Sequence, residues 1–215
     1  MINSISKNAG ILGGFAVITT LLIVATFMGT RDRIEQQRLN VLQQTLNQVM
    51  PDEHHDNQLS QTCLRVNHPA LSSQQAKRLY PAYLNGQLNG VVVESTAPNG
   101  YSGNIHMLMG VLLDGTVTGV RVLEHKETPG LGDKIDTRVS DWILSFANKQ
   151  VASESDPNWD VKKFGGQFDQ FTGATITPRA VVKQVEKTTW FASQNAMNWL
   201  ENASPCQEGV ESNDE

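Results

Sequence analysis

The sequence predicts an α+β protein: a single N-terminal transmembrane helix, then a globular domain with an antiparallel sheet and flanking helices. Three features carry that expectation. Asn8 to Thr30 holds no charged residue and is long enough to cross a bilayer core of about 30 Å as a helix. The middle of the chain alternates β-rich runs with the turn pairs Asn85-Gly86 and Asp114-Gly115, the pattern of an antiparallel meander. From Pro178 onward, Val182, Val185, Thr189, Ala192, Ala196 and Trp199 recur at three- and four-residue steps, as one face of a helix does.

The expected partition is a short tail over 1–8, a membrane helix over 9–30, a helical stalk or linker over 31–58, a domain over 59–200 and an acidic tail over 201–215. The apolar run Ile11 to Met28 exceeds a usual signal-peptide core, and no clear Ala-x-Ala site follows it, so an uncleaved anchor is expected rather than a leader. Gly10, Gly13 and Gly14 leave room for another helix to approach. Lys7 precedes the span; Arg31, Arg33 and Arg38 follow it, mixed with Asp32 and Glu35, so charge does not orient it. Leu39, Leu42, Leu46 and Val49 form a helical stripe that Pro51 should end; it is expected as a stalk, with a helix of the domain as the alternative. Pro51 to Gln58 is polar and rich in charge; its adjacent His54 and His55 invite a metal reading, but neighbouring residues on a helix do not face one site, and a solvated connector is expected.

Cys63 to Gln75 is irregular. Val91-Val92-Val93 is a buried-strand signal, Ser95 to Gly100 a loop signal, and Ile105 to Leu113 and Thr116 to Leu123 a hairpin about Asp114-Gly115. Val139 to Lys149 is expected as a short amphipathic helix, with Trp142, Ile143 and Phe146 on one side. The domain closes with the Pro178 helix, and the acidic tail should fray unless Cys206 ties it down.

Composition excludes some functions. With 39% hydrophobic and 18% charged residues a packed core is feasible. A net charge of −5 implies no basic face and argues against nucleic acid. The two cysteines, Cys63 and Cys206, have no zinc-type spacing; they are either one disulfide, if the domain lies outside the cytoplasm, or two free thiols. Gly130-x-Gly132 has Ile135 where a dinucleotide fingerprint needs its third glycine, and there is no P-loop. Glu124, His125 and Glu127 can be drawn as a catalytic cluster, but a solvated loop face is the expectation.

Two stretches remain. Asp169-Gln170-Phe171-Thr172-Gly173-Ala174-Thr175-Ile176-Thr177-Pro178 leads into the last helix, with Thr177 as the expected cap and Pro178 as the first helical residue. Thr175 thus sits ahead of a helix N-terminus, where free N–H groups and the dipole favour an anion. A capped turn is the plain alternative. The second stretch, Glu127-Thr128-Pro129-Gly130-Leu131-Gly132, has glycines and a proline that shape a backbone able to lie against something flat.

Asp-x-x-Thr-Gly-Ala-Thr at Asp169–Thr175 resembles the flavinylation motif of the FMN-binding domain family, and Glu127–Gly132 resembles a loop of the same family, in the expected order. The resemblance implies FMN held covalently through a phosphoester on Thr175, with Thr177 as the alternative acceptor. It implies a Mg-dependent flavin transferase that moves FMN from FAD. Asp169, Thr172 and Gly173 would then help that enzyme recognise the site, Thr128, Gly130 and Leu131 would line the flavin, and Ala174 and Glu127 are further expected cofactor-binding residues. Over most of its length the chain is similar to flavin subunits of Rnf-type ion-translocating electron-transport complexes. The corresponding flavin subunit of a sodium-pumping NADH:quinone reductase is the nearest alternative. That similarity implies an electron relay without catalysis of its own, other complex subunits as partners, and a single-pass protein of the bacterial inner membrane with its large domain on the periplasmic side. A cofactor-free assembly module and a flavoenzyme acting alone are the competing classes.

Overall fold

A 48-residue helix, α1 (Ile2–Val49), opens the chain. The computed structural model describes residues 2–71 and 75–206; the side chains of residues 2–5, 32 and 35 lie outside that description. The chain divides into two units, Met1–Leu42 and Gln43–Glu215.

In the first unit, Ser6–Arg31 is long and apolar enough to cross a membrane; 26 helical residues extend about 39 Å. Its apolar side chains, among them Phe15, Leu21, Ile23 and Phe27, are exposed. Its threonines return their hydroxyls to the helix: Thr19 donates to the Phe15 carbonyl at 2.9 Å, Thr26 to Leu22 and Thr30 to Thr26 at 2.8 Å each. No hydroxyl in these pairs needs water, as a hydrocarbon setting requires.

The second unit is built on an antiparallel sheet of β1 (Leu64–Val66), β2 (Lys77–Leu84), β3 (Gln87–Gly100), β4 (Gly103–Leu112), β5 (Thr116–Glu124), β6 (Lys149–Gln150) and β7 (Ser204–Pro205), in the spatial order β6-β5-β4-β3-β2-β1-β7. Asn85 and Gly86 turn β2 into β3, both with positive φ (53° and 76°), as a tight hairpin requires. Pro81 lies within β2 because β1 pairs only with Lys77–Leu79, leaving the side without an N–H free of a strand partner.

The long helix α2 (Ile176–Asn202) covers one face. Its buried Val181, Val182, Val185, Ala192, Ala196 and Trp199 pack in one core with Val91, Val93, Ile105, Met107 and Met109 of the sheet, each large side chain contributing about 1.5–3 kcal/mol on burial. A buried polar knot sets the helix's register. Gln184 Nε2 lies within hydrogen-bond distance of Ser95 Oγ (2.7 Å), Thr188 Oγ1 (2.9 Å) and the Ala70 carbonyl (2.8 Å), its two hydrogens shared among the three acceptors.

The other face receives the end of α1. Gly110 and Gly119 stand opposite each other on β4 and β5, and a Cβ on Gly119 would lie 2.9 Å from the Val49 Cα. The paired glycines let helix backbone rest on sheet backbone. Thr118 Oγ1 donates to the Val49 carbonyl, one of the orphan acceptors at the helix end, and Leu46, Val49 and Met50 are buried.

Several expectations change. Ser95–Gly100 is strand, not loop: Pro98 and Asn99 fall at a register shift between Ala97 and Gly100, so the bulge absorbs the turn residues and the hairpin turns instead at Tyr101-Ser102. Residues 51–58 are no solvated connector. His55 is buried, Asp56 N donates to the Tyr83 carbonyl at 2.8 Å, and Asn57 holds both Pro81 and Tyr83. Within Cys63–Gln75 the chain forms β1 and a short 3-10 turn, Pro69–Leu71, while 72–74 lie outside the described residues. Val139–Lys149 is not an α-helix: it holds a 3-10 turn, Trp142–Phe146, and ends on the first residue of β6. Of the expected acidic tail, 207–215 lie outside the described residues. Ahead of them β7 pairs with β1, and Cys206 is joined to Cys63 by a disulfide with Cα atoms 5.4 Å apart.

Candidate functional site

Three stretches meet at the start of α2: the loop after β5, the tip of the β3–β4 hairpin, and the approach Asp169–Thr175. The loop closes on itself, the Thr128 carbonyl accepting from Leu131 N and Gly132 N at 3.1 Å each. Gly130 takes φ +78° in that turn, a backbone that side chains rarely adopt.

The approach is held from below. Phe171 is buried and lies edge-on to Trp142, ring centroids 5.1 Å apart. Ala174 N donates back to the Phe171 carbonyl at 3.1 Å across a turn that needs φ +82° at Gly173. The bare Gly173 faces Leu131, whose methyl would lie 3.5 Å from an added Cβ. Thr172 and Gly173 are exposed, Ala174 half-buried. Asp169 is exposed, pairs with Lys162 at 2.6 Å, and offers its carbonyl to Trp142 Nε1 at 2.8 Å.

The helix starts two residues earlier than expected. Thr175, not Thr177, is the N-cap, and Ile176, not Pro178, is the first helical residue. Pro178 is third, still within the turn that has no intrahelical acceptors for its N–H groups. The Thr175 hydroxyl makes no capping hydrogen bond and the residue is half-buried. Ile176, next in the chain, and Leu131, which faces Gly173, are 54% and 43% exposed, so apolar surface lies beside this helix start.

Thr177 has the opposite fate. It is 1% exposed and its hydroxyl donates to Glu127 Oε2. The Glu124–His125–Glu127 stretch is therefore not a solvated face. Glu124 is exposed, but Glu127 is buried, and its Oε1 accepts from Ser102 N at 2.9 Å. His125 Nδ1 accepts from Glu127 N at 3.1 Å, and its Nε2 lies 3.8 Å from Asp136. The Asp136 carboxyl is held below the usual carboxylate range by its hydrogen bonds to Arg138, against the opposing effect of burial. Asp160 is likewise held low: burial alone would raise it, but Arg179 bonds both its oxygens and Val161 N donates to it. Among the described residues no group of three His, Cys, Asp or Glu side chains is placed to hold a metal.

The sequence did not point to Trp142, Ser102 or Gly100 as parts of this site. Gly100 stood in an apparent loop and Trp142 in an apparent helix, and neither position carries a local signal of a partner so distant in the chain.

Residues 100–189, which contain every stretch just described, match the FMN-binding domain family, and residues 1–49 match the RnfG N-terminal region. Over 192 residues the chain is 52% identical to the G subunit of the ion-translocating oxidoreductase complex of Aliivibrio fischeri strain MJ11, covering 89% of this chain and 91% of that one. The chain belongs to the RnfG family of ion-translocating oxidoreductase complex subunits. Relatives of the same description in Vibrio atlanticus (48% identical over 206 residues) and Vibrio cholerae strain M66-2 (46% over 207) each cover 96% of this chain and 99% of their own. The family's N-terminal region coincides with α1, and its FMN-binding domain runs from the end of β3 into α2. The sodium-pumping reductase subunit is not the favoured relative.

Proposed function

We propose that this chain is the membrane-anchored electron-relay subunit of an Rnf-type ion-translocating complex, and that it carries FMN as a phosphoester on Thr175. One observation carries the attachment: of the two threonines at the start of α2, Thr175 has a hydroxyl free of any cap bond, beside an apolar surface, whereas the Thr177 hydroxyl is buried and taken by Glu127.

The residues present fit the group. The first turn of α2 offers N–H groups without intrahelical acceptors, and the helix dipole favours a phosphate there. Leu131 and Ile176 supply exposed apolar area for a flat ring system, and the Thr128–Gly130 backbone borders it. Bound FMN supplies transfer of one or two electrons. The chain supplies the tether, the seat and the membrane anchor, through residues 9–30. A tether matters because a freely exchanging cofactor is lost once its concentration falls below its dissociation constant.

Attachment forms a Thr175 Oγ–P bond as the pyrophosphate bond of FAD breaks. AMP leaves, and the hydroxyl proton passes to the flavin transferase or to solvent. The exposed Asp169, Thr172 and Gly173 with Ala174 are the recognition elements for that enzyme. The domain lies on the periplasmic side of the inner membrane; the Cys63–Cys206 disulfide supports this, since such bonds persist in oxidising compartments. The partners are the other subunits of the complex.

The functional test is electron transfer in membrane vesicles holding the whole complex. Thr175→Ala should abolish transfer while the complex still assembles. Transfer at the wild-type rate with this variant would instead favour an assembly module with no redox role.

A further inference from the structure

We propose that Glu127 is the positioning residue of the attachment site: its carboxylate joins the hairpin tip to the first turn of α2 and so fixes where the Thr175 hydroxyl stands, without touching the flavin. This holds only if Thr175 is the acceptor, and it gives Glu127 a role different from lining the cofactor.

Both oxygens of the carboxylate are committed. Oε2 accepts from Thr177 Oγ1, and Oε1 accepts from Ser102 N at 2.9 Å. The donors come from different elements, so through these bonds Glu127 joins its own loop to the hairpin and to the helix start. Glycines wall it in. A Cβ on Gly132 would lie 2.8 Å from Oε2 and 2.9 Å from Thr177 Oγ1, and a Cβ on Gly100 would lie 2.9 Å from Oε1. Gly132 has φ −86°, which any residue adopts, so it is the close approach and not the backbone that calls for glycine there.

The chemistry explains why the residue is an acid. Two donors converge, one on each oxygen, and a carboxylate accepts on both with charge-assisted bonds. A glutamine has the same shape but can only meet Ser102 N with its oxygen and turn its NH2 to the Thr177 hydroxyl, which reverses that hydrogen bond and removes its charge assistance. Burying a carboxylate is costly unless it is fully hydrogen-bonded, and here it is 5% exposed and bonded on both sides. Thr177 lies two residues after Thr175 on the same turn, so anchoring Thr177 fixes the N-cap. A misplacement of about 1 Å at a reacting group can cost about a hundredfold in rate.

The experiment uses the full-length apoprotein in detergent with its flavin transferase, FAD and Mg²⁺, comparing wild type, Glu127→Gln, Thr177→Val and Thr177→Ser. Folding is checked by far-ultraviolet circular dichroism. Glu127→Gln and Thr177→Val should lower kcat for flavin loading by about tenfold or more with KM for the apoprotein little changed, and should alter the visible circular dichroism of the flavin once loaded. Thr177→Ser, which keeps the hydroxyl, should load within about twofold of wild type. Should Glu127→Gln fail to fold, Thr177→Val against Thr177→Ser decides the matter. Wild-type loading kinetics and flavin dichroism in folded Glu127→Gln and Thr177→Val would overturn the positioning role, even with lowered melting temperatures, and leave Thr175 as acceptor untouched. A wild-type chain that takes no flavin, or a Thr175→Ala chain that takes it, would remove the acceptor and the positioning role together.

Discussion

Thr175 and Thr177 carry the same side chain two residues apart, and their surroundings give them different chemistry. Thr177 is a structural hydroxyl. Thr177→Ala leaves one buried Glu127 oxygen without its donor, which costs about 1–3 kcal/mol; a denaturant titration of the full-length protein should show that loss. The Thr175→Ala apoprotein should melt as the wild-type apoprotein does, because the Thr175 hydroxyl makes no capping bond. Asp160 gives a pH signature. Its folded-state pKa is depressed, because the Arg179 and Val161 hydrogen bonds outweigh burial. Its contribution is therefore fully present above the unfolded value, near 3.9, and is lost as pH falls from there through the folded value. Asp160→Asn should lower the melting temperature at neutral pH and flatten its fall below about pH 4. Of the individual site residues, the Thr-Gly-Ala-Thr run and the two loop glycines were legible because special backbone and small side chains leave local marks. The burial of Glu127 was not legible, since it depends on Ser102, 25 positions away.

The sheet and the last helix were visible as period-two and period-3.6 patterns, and β4, β5 and the buried face of α2 lie where those patterns put them. Their ends were harder to see. β3 runs through Pro98 because the bulge after Ala97 takes the residue out of the ladder. Local signals put the start of α2 two residues late, because Thr177-Pro178 is a good start signal while Glu127 draws the Thr177 hydroxyl into the core. The seat of α1 on the sheet left no local mark either: Gly110 and Gly119 make sense only once β4 and β5 pair and Val49 lies across them. Gly119→Val should therefore destabilise the domain by about 1–3 kcal/mol through overpacking, measured by thermal melting in detergent. Unchanged stability would mean that the helix end does not rest on these strands.

For the protein as a whole, the Cys63–Cys206 bond spans 143 positions and ties the end of α2 back to the sheet edge, β7 lying beside β1. Closing so long a loop restricts the unfolded chain strongly, so Cys63→Ser should lower stability by about 2–5 kcal/mol, and added reductant should leave that variant's urea midpoint unchanged while lowering the wild type's. The cysteine count alone left a bond and two free thiols equally open, because spacing along the chain says nothing of distance in space. The proposal for the whole chain comes down to one hydroxyl, that of Thr175, carrying FMN. The most direct test is the intact mass of the full-length protein purified from cells that contain the flavin transferase. The wild-type chain should be heavier than its sequence by one FMN less water and Thr175→Ala should have the bare mass; a wild type of bare mass, or a Thr175→Ala chain that keeps the added mass, would contradict the account.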